Sequence, residues 1–96
     1  MGAAVKVREI FVYPRVIEEV VIAAPGAKAA QAVAARENDR DLIRLLLVLD
    51  EGADPDKAKS AALQAFKLHA RIRADAVEIV PSLPDGAELI VNLKDG

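Results

Sequence analysis

His69 is the only histidine of this 96-residue chain, and it is the first side chain to consider for acid–base or metal chemistry. On a helix, a partner for such a site would stand three or four positions away along the chain. The residues at those spacings are Ala65, Phe66, Ile72 and Arg73, and none of them can act as a metal ligand or exchange a proton at neutral pH. We therefore expect neither a metal site nor a general base at His69.

The carboxylates and hydroxyls are similarly isolated along the sequence. Glu18 and Glu19 are adjacent, and adjacent helical residues point about 100° apart, so this pair predicts a solvated face and not a shared site. Neither Ser60 nor Ser82 has a histidine in its sequence context that would activate it as a nucleophile. Because the chain has no cysteine, thiol catalysis and thiolate metal sites are excluded. The residues alone therefore predict no catalytic centre and no metal.

The composition indicates which partners and which cellular compartment to expect. The formal net charge is −2, with acidic and basic residues mixed along the chain, so we expect neither nucleic acid nor membrane as a partner. No apolar run is long enough to span a bilayer, and the N-terminus lacks the pattern of a signal peptide. With the absence of cysteine, these features predict a cytoplasmic protein. The length predicts one small domain over residues 1–96 with a single core.

The elements that would position any site begin with a strand and a helix that meet at Pro14. β-Branched and aromatic residues alternate with polar ones from about Val5 to Tyr13, which predicts one strand with a possible bulge near Glu9. Proline suits the first turn of a helix, since its missing N–H would have no intrahelical partner there. Apolar residues at helical spacing extend that helix to Ala24, and Pro25-Gly26 ends it.

Two strands and a second helix follow. We predict a strand from about Gln31 to Arg36, then a polar turn and a leucine-rich strand from Leu42 to Leu49. The nearly continuous apolar run from Leu45 to Leu49 favours a central strand, or a strand whose second face is covered by a partner. Asp54 as the N-cap and Pro55 at the first helical position begin the second helix.

The last elements complete a familiar order. A strand alternates over Val77–Val80 and stops at Pro81, and Ala87 to Leu93 could form a short returning strand. The predicted fold class is thus α+β, a ferredoxin-like β-α-β-β-α-β two-layer sandwich with a possible extra C-terminal strand. In this arrangement both helices cover one face of an antiparallel or mixed sheet.

Two segments match a known pattern. Val7–Val20 reads Val-Arg-Glu-Ile-Phe-Val-Tyr-Pro-Arg-Val-Ile-Glu-Glu-Val, and Val77–Val80 is followed by Ser82-Leu83-Pro84. The first segment resembles the start of the C-terminal lid domain of phenylacetate-CoA ligases, a branch of the adenylate-forming enzymes. There, Arg-Gly-hydrophobic-Asn-Val-Phe/Tyr-Pro leads into a helix with hydrophobic-Glu-Glu-Val-Leu. The second resembles the family's Val-Glu-hydrophobic-Val and Ser-Leu-Pro, so the resemblance covers nearly the whole chain.

The resemblance implies which residues stand at the family's functional positions. Ala87 occupies the place of the family's adenylation lysine, and because alanine cannot stabilise developing phosphate charge, we expect no catalytic residue in this chain. Glu9 and Phe11 replace a glycine and an asparagine near the family's CoA channel, where a carboxylate would oppose an anionic cofactor. Arg8 is the one polar residue that matches, and it is therefore the candidate for cofactor binding.

The implied function is that of a lid that closes over a large N-terminal adenylation domain, first to form an acyl-adenylate and then a CoA thioester. ATP and CoA are implied for the full ligase only, with no cofactor for this domain on its own. We interpret the chain as such a domain, excised or stand-alone, and not catalytic by itself. The alternative is a ferredoxin-like binding or oligomerisation module, natural or designed, that forms a homodimer through the Leu45–Leu49 strand or a sheet face.

Overall fold

Two short strands, two helices and a four-stranded sheet make up the described part of the chain. The computed structural model describes residues 4–84, 86 and 88–93. In chain order its elements are β1 (Val5–Val7), β2 (Ile10–Val12), α1 (Pro14–Ala23), β3 (Ala27–Glu37), β4 (Arg40–Leu49), α2 (Pro55–Ala70), β5 (Ala76–Ile79) and β6 (Ile90–Asn92). β1 pairs with β2, and the other strands form one sheet in the order β5-β4-β3-β6.

The prediction of a single strand from Val5 to Tyr13 is wrong, because this segment is a hairpin. Arg8 and Glu9 have φ values of 52° and 69°, so both are left-handed and reverse the chain between β1 and β2. Val7 pairs with Ile10 across this two-residue turn. Two consecutive left-handed residues are typical of a type I′ turn, which usually carries Asn or Gly. Because Arg8 and Glu9 are not typical residues of such a turn, the sequence indicated the turn only through the broken alternation of apolar and polar residues near Glu9.

Helix α1 begins where the sequence predicts. Tyr13 is extended, with φ of −98° and ψ of 150°, and Pro14 is the first helical residue. The buried stripe of the helix consists of Val16, Ile17 and Val20. The chain then turns at Gly26, whose φ is 79° and at which an added Cβ would lie 2.5 Å from the Cβ of Ala53. Glycine is therefore required here by both conformation and space.

The long hairpin of β3 and β4 forms the centre of the sheet. β3 begins at Ala27, earlier than the predicted start at Gln31, and pairs antiparallel with β4 along its length. Alanine is a poor strand former, so local propensity did not reveal this extension, which the pairing with leucine-rich β4 stabilises. The predicted central position of the Leu45–Leu49 run is confirmed, since β4 lies between β3 and β5.

The outer strands run parallel to their neighbours. β5 pairs with β4, close to the predicted Val77–Val80, and β6 pairs with β3 at the opposite edge. β6 is the extra C-terminal strand that the sequence analysis gave as possible. It is shorter than the predicted range from Ala87 to Leu93, and Ala87 itself lies outside the described residues.

One hydrophobic core joins all these layers. Inward-facing residues of β3 and β4 alternate with outward-facing ones, and the inward set packs with α1, α2 and the hairpin. The largest fully buried side chains are Phe66, Ile17, Ile43, Leu45, Leu47, Val7, Val12 and Val20. Alanines on β3 and α2 are also buried, which allows close approach of helix and sheet. The predicted two-layer α+β sandwich is confirmed.

Helix α2 has the predicted start and a left-handed end. Oδ1 of Asp54 accepts hydrogen bonds from the backbone N–H groups of Asp56 and Lys57, at 3.0 and 3.3 Å. These bonds satisfy donors that have no intrahelical partner. The C-cap residue Arg71 has a φ of 69°. Neither this helix nor any other described helix is long and apolar enough to cross a bilayer.

Candidate functional site

Arg8, the residue predicted for cofactor binding, ties the hairpin turn to two distant segments. Its backbone N–H donates to Oδ2 of Asp41 at 2.9 Å, and its Nε donates to the carbonyl of the same residue at 3.2 Å. Its Nη1 donates to the carbonyl of Arg73 at 3.1 Å, and its Nη2 lies 2.5 Å from both carboxylate oxygens of Asp75. Arg8 thus joins the hairpin, the start of β4 and the loop before β5.

Asp41 and Asp75, whose carboxylates accept hydrogen bonds from Arg8, also bond to other residues. Oδ2 of Asp75 accepts the backbone N–H of Ile43 at 2.8 Å, and the Asp75 N–H donates to the Ile43 carbonyl at 2.7 Å. Nη2 of Arg40 lies 3.9 Å from Oδ1 of Asp75, and Nε of Arg36 donates to Oδ1 of Asp41 at 3.1 Å. We refer to Arg8, Arg36, Arg40, Asp41 and Asp75 as the arginine cluster.

The arginine cluster lies at the protein surface but is partly shielded. The side chain of Arg8 is 30% exposed, against 23% for Asp75 and 14% for Asp41. Partial burial makes such charge-assisted bonds stronger than those of a fully solvated pair. An anionic ligand at Arg8 would have to compete with Asp75 for the guanidinium. The sequence does not reveal this competition, because Asp41 and Asp75 are 33 and 67 residues away from Arg8 along the chain.

The two residues at the positions where the resemblance implies a glycine and an asparagine both lie on the surface of the hairpin. Glu9 occupies the second position of the turn, and its side chain is 88% exposed, 3.5 Å from Nζ of Lys6. Phe11 is 55% exposed and is the cross-strand neighbour of Lys6. The hairpin therefore presents a carboxylate and an aromatic ring where the resemblance implies a bare backbone and an amide.

His69 has a charged neighbour on the other helix. Its Nε2 lies 4.0 Å from Oε1 of Glu19, and these side chains line a groove of about 450 Å³ with Tyr13, Arg15 and Val16. The spacing of residues along α2 does not reveal this neighbour, because Glu19 lies on α1. Within the described residues, no group of three or more His, Cys, Asp and Glu could hold a metal ion.

Ala87, the position that the resemblance gives to the family's lysine, lies outside the described residues. β5 and β6 lie at opposite edges of the sheet, and in the described part of the segment that joins them the carbonyl of Glu88 accepts a hydrogen bond from Nε2 of Gln31 at 3.0 Å. Gly86, Ser82 and Lys28 line a depression of about 530 Å³ beside this segment. Lys28 is the one lysine among the described lining residues of this depression.

Comparison with known proteins gives matches to solved structures only. No protein-family model matches the sequence, and no curated protein matches it. The structure superposes on a domain of phenylacetate-coenzyme A ligase from Bacteroides vulgatus with a TM-score of 0.82 and 13% identity, covering 96% of this chain and 93% of that one. It also superposes on 2-hydroxyisobutyryl-CoA ligase, solved with 2-HIB-AMP and CoA, with a TM-score of 0.80 and 20% identity over 98% of this chain. The superposition on amide bond synthetase McbA from Marinactinospora thermotolerans has a TM-score of 0.69 and 26% identity, and it covers 84% of this chain.

These comparisons establish the fold of this chain. The chain spans 22% of the 2-hydroxyisobutyryl-CoA ligase and 17% of McbA, so its fold is that of a small part of such larger proteins. The resemblance predicted from the sequence is confirmed. The fold is that of the phenylacetate-CoA ligase domain, and the match covers 93% of that domain.

Proposed function

We propose that this chain is a C-terminal, lid-type domain similar to that of phenylacetate-CoA ligase, and that it is not catalytic by itself. The observation that carries the proposal is the superposition on the phenylacetate-CoA ligase domain, which extends over 96% of this chain and 93% of that domain. The match thus includes most of the residues of both chains and not one shared helix or hairpin. The partner that this role requires is a large N-terminal adenylation domain.

The hairpin and α1 support this role, because they coincide with the most specific part of the sequence resemblance. Val7–Val20 begins in β1, passes through the turn and β2, and enters α1 at Pro14. Arg8 holds the turn against the sheet through Asp41 and Asp75. The role that we propose for Arg8 is to orient the hairpin, because its guanidinium is bound by Asp75 and is not free to bind the cofactor.

The proposed cofactors belong to the complete ligase. The 2-hydroxyisobutyryl-CoA ligase that shares this fold was solved with 2-HIB-AMP and CoA. In the present chain Ala87 cannot supply a cation to the phosphates, and Glu9 places a carboxylate at the hairpin tip. The first feature leaves the developing phosphate charge without a stabilising cation, and the second repels an anionic cofactor. The proposed domain therefore has the lid's shape without its active groups.

A domain exchange tests the proposal. In a chimera, this chain replaces the matching segment of 2-hydroxyisobutyryl-CoA ligase, and thioester formation is followed from supplied 2-HIB-AMP and CoA. We expect a chimera carrying Glu9→Gly and Phe11→Asn to form thioester faster than the same ligase truncated before this segment. The unaltered chain should be slower than the doubly altered one, and Glu88→Gln serves as a control substitution remote from the hairpin turn in sequence. If the altered chimera is no faster than the truncated ligase, the lid proposal is wrong.

A further inference from the structure

Helix α2 and the loop after it carry a concentration of positive charge. Between Asp56 and Asp75 the sequence has five cationic residues and no Asp or Glu. The five are Lys57, Lys59, Lys67, Arg71 and Arg73. Subtracting their charge from the net charge of −2 leaves −7 on the rest of the chain. Charges that are mixed along the chain as a whole are therefore uniformly positive in this one segment.

The same five cations lack acidic partners, whereas most of the other described cations have them. The three arginines of the arginine cluster lie 2.5 to 3.9 Å from carboxylate oxygens, and Nη1 of Arg44 lies 3.3 Å from Oε2 of Glu78. Within the described part of the chain, none of the five forms an ion pair, and neither do Arg15 and Lys28 elsewhere. Their charge is thus left for water or for a partner outside the chain.

Four of these cations face solvent, and three of the four share one stripe along α2 and its C-cap. The exposed residues of this stripe recur at spacings of three and four, which places them on one side of the helix. They are Lys57, Ser60, Gln64, Lys67 and Arg71. The opposite stripe, from Ala58 to Ala70, packs into the core, so the charged stripe is held toward solvent.

A small groove joins this stripe to the loop before β5. It is lined by Leu63, Gln64, Lys67, Arg73 and Ala74, and its volume is about 260 Å³. Drug-sized molecules occupy pockets of about 300–1,000 Å³, so this groove is better suited to a side chain of a polypeptide. Its apolar wall lies beside two cations, and it can therefore take an apolar side chain that has a carboxylate next to it. We refer to Lys57, Leu63, Lys67, Arg71 and Arg73 as the basic face.

The surroundings of the basic face favour a protein partner over a membrane or a nucleic acid. The apolar stripe of α2 is buried in the core, so the helix cannot insert that stripe into a bilayer. An extended polyanion would also meet the charge of −7 on the rest of the chain. Leu63 and Leu68 are 37% and 73% exposed beside the cations, and they offer apolar contacts that a phosphate backbone does not use.

We propose that the basic face binds an acidic polypeptide segment in which leucine or a similar apolar residue recurs between carboxylates. Carboxylates of the segment pair with Lys67 and Arg73, and an apolar side chain between them enters the groove against Leu63. The loop that carries Arg73 is already fixed, because its carbonyl accepts a hydrogen bond from Nη1 of Arg8 at 3.1 Å. Binding therefore requires little ordering of this loop. The contact goes beyond the proposed lid function and does not depend on it.

An NMR titration tests the proposal. The 15N-labelled chain is titrated at low ionic strength with a synthetic peptide of repeating Glu-Glu-Leu triplets. We expect saturable amide shifts along α2 and in the loop up to Ala74, with an affinity that falls as added salt screens the charges. A matched Lys-Lys-Leu peptide should not bind, and a Glu-Glu-Ser peptide should bind less tightly. Absence of saturable shifts, shifts that centre on another surface, or equal affinity for the Glu-Glu-Ser peptide overturns the proposal.

Charge reversal shows whether the basic face or the net charge is responsible for binding. Lys67→Glu and Arg73→Glu should each weaken binding of the Glu-Glu-Leu peptide at least about tenfold, because each places a carboxylate against a carboxylate. Lys28→Glu and Arg15→Glu make the same change in net charge away from the basic face, and each should change the affinity less than about twofold. Equal losses in the two pairs of variants overturn the proposal.

Arg71→Gly separates binding from folding. Arg71 has a φ of 69°, a conformation that glycine adopts without a steric penalty. This variant should therefore have a higher Tm and yet bind the peptide more weakly, so that the loss of affinity cannot come from unfolding. An unchanged affinity means that the proposed contact along the stripe is wrong.

Two other polyanions complete the test of the partner's chemistry. An oligothymidylate and phosphatidylserine vesicles are titrated under the same conditions as the Glu-Glu-Leu peptide. Neither should bind as tightly as the peptide, because neither combines separate carboxylates with apolar side chains. Tighter binding of the oligothymidylate or of the vesicles overturns the assignment of the basic face to an acidic polypeptide.

Discussion

Replacing Glu9 with glycine is expected to stabilise this domain, although the substitution removes an ion pair. Glu9 has a φ of 69° at the second position of the hairpin turn, where a side chain crowds the backbone. The left-handed conformation costs a residue other than glycine about 1–2 kcal/mol. Against this, glycine loses more conformational freedom on folding, by about 0.5–1 kcal/mol.

The ion pair contributes little to this balance. Nζ of Lys6 is 3.5 Å from Oε1 of Glu9, but these side chains are 52% and 88% exposed, so solvent screens the attraction. The midpoints of these two ranges give a net gain for Glu9→Gly of about 0.75 kcal/mol. For a domain of this size, that gain corresponds to a rise in Tm of roughly 3–6 °C.

Thermal unfolding followed by circular dichroism, at a protein concentration low enough to keep the chain monomeric, measures this effect. Glu9→Ala is the matched control, because it removes the same carboxylate and keeps the left-handed strain. We expect Tm to rise for Glu9→Gly and to stay level or fall for Glu9→Ala. Equal changes for the two variants would refute the assignment of strain to the turn and would attribute the effect to the charge.

Three further predictions follow from other contacts. Arg8→Ala should lower the free energy of unfolding in urea by about 1–2 kcal/mol, since Asp75 loses its closest cation at a partly exposed site, and Arg8→Lys should not restore it; full stability with lysine would contradict the bridging role. Gly26→Ala should lower the free energy of unfolding more than Gly52→Ala, because both glycines have positive φ but only a Cβ at position 26 would lie 2.5 Å from the Cβ of Ala53. Equal losses of unfolding free energy in a urea titration would contradict this. Saturating CoA should leave the Tm of the isolated chain unchanged, and a rise would show that the domain holds the cofactor alone.

The elements with strong local signals were predictable from the sequence. Pro14 and Asp54 mark the starts of the two helices because their effects are local, through a fixed φ and a side-chain cap. The leucine-rich run of β4 predicted a central strand because a nearly continuous apolar sequence is typical of a strand with both faces buried. The resemblance around Val7–Val20 then predicted a fold that the superposition with the phenylacetate-CoA ligase domain confirms.

Features that depend on long-range contacts were not predictable. The turn at Arg8 and Glu9 lacks the usual turn residues, and the contacts that hold Arg8 come from Asp41 and Asp75, on remote segments. The early start of β3 at Ala27 depends on pairing with β4, which outweighs the low strand propensity of alanine. Pattern and propensity describe neighbours along the chain, so they cannot identify a partner that tertiary folding supplies.

The adenylation half-reaction tests the central claim most directly. In the chimera with 2-hydroxyisobutyryl-CoA ligase, ATP–pyrophosphate exchange is compared for this chain and for its Ala87→Lys variant, with Glu88→Lys as the control for an added cation at the next position. If the lysine is the group that this lid lacks for adenylation, exchange should be low with the unaltered chain and should rise about 10²-fold or more with Ala87→Lys alone. Exchange that is already high with alanine at position 87, or a lysine variant no better than the ligase truncated before this segment, would contradict the account.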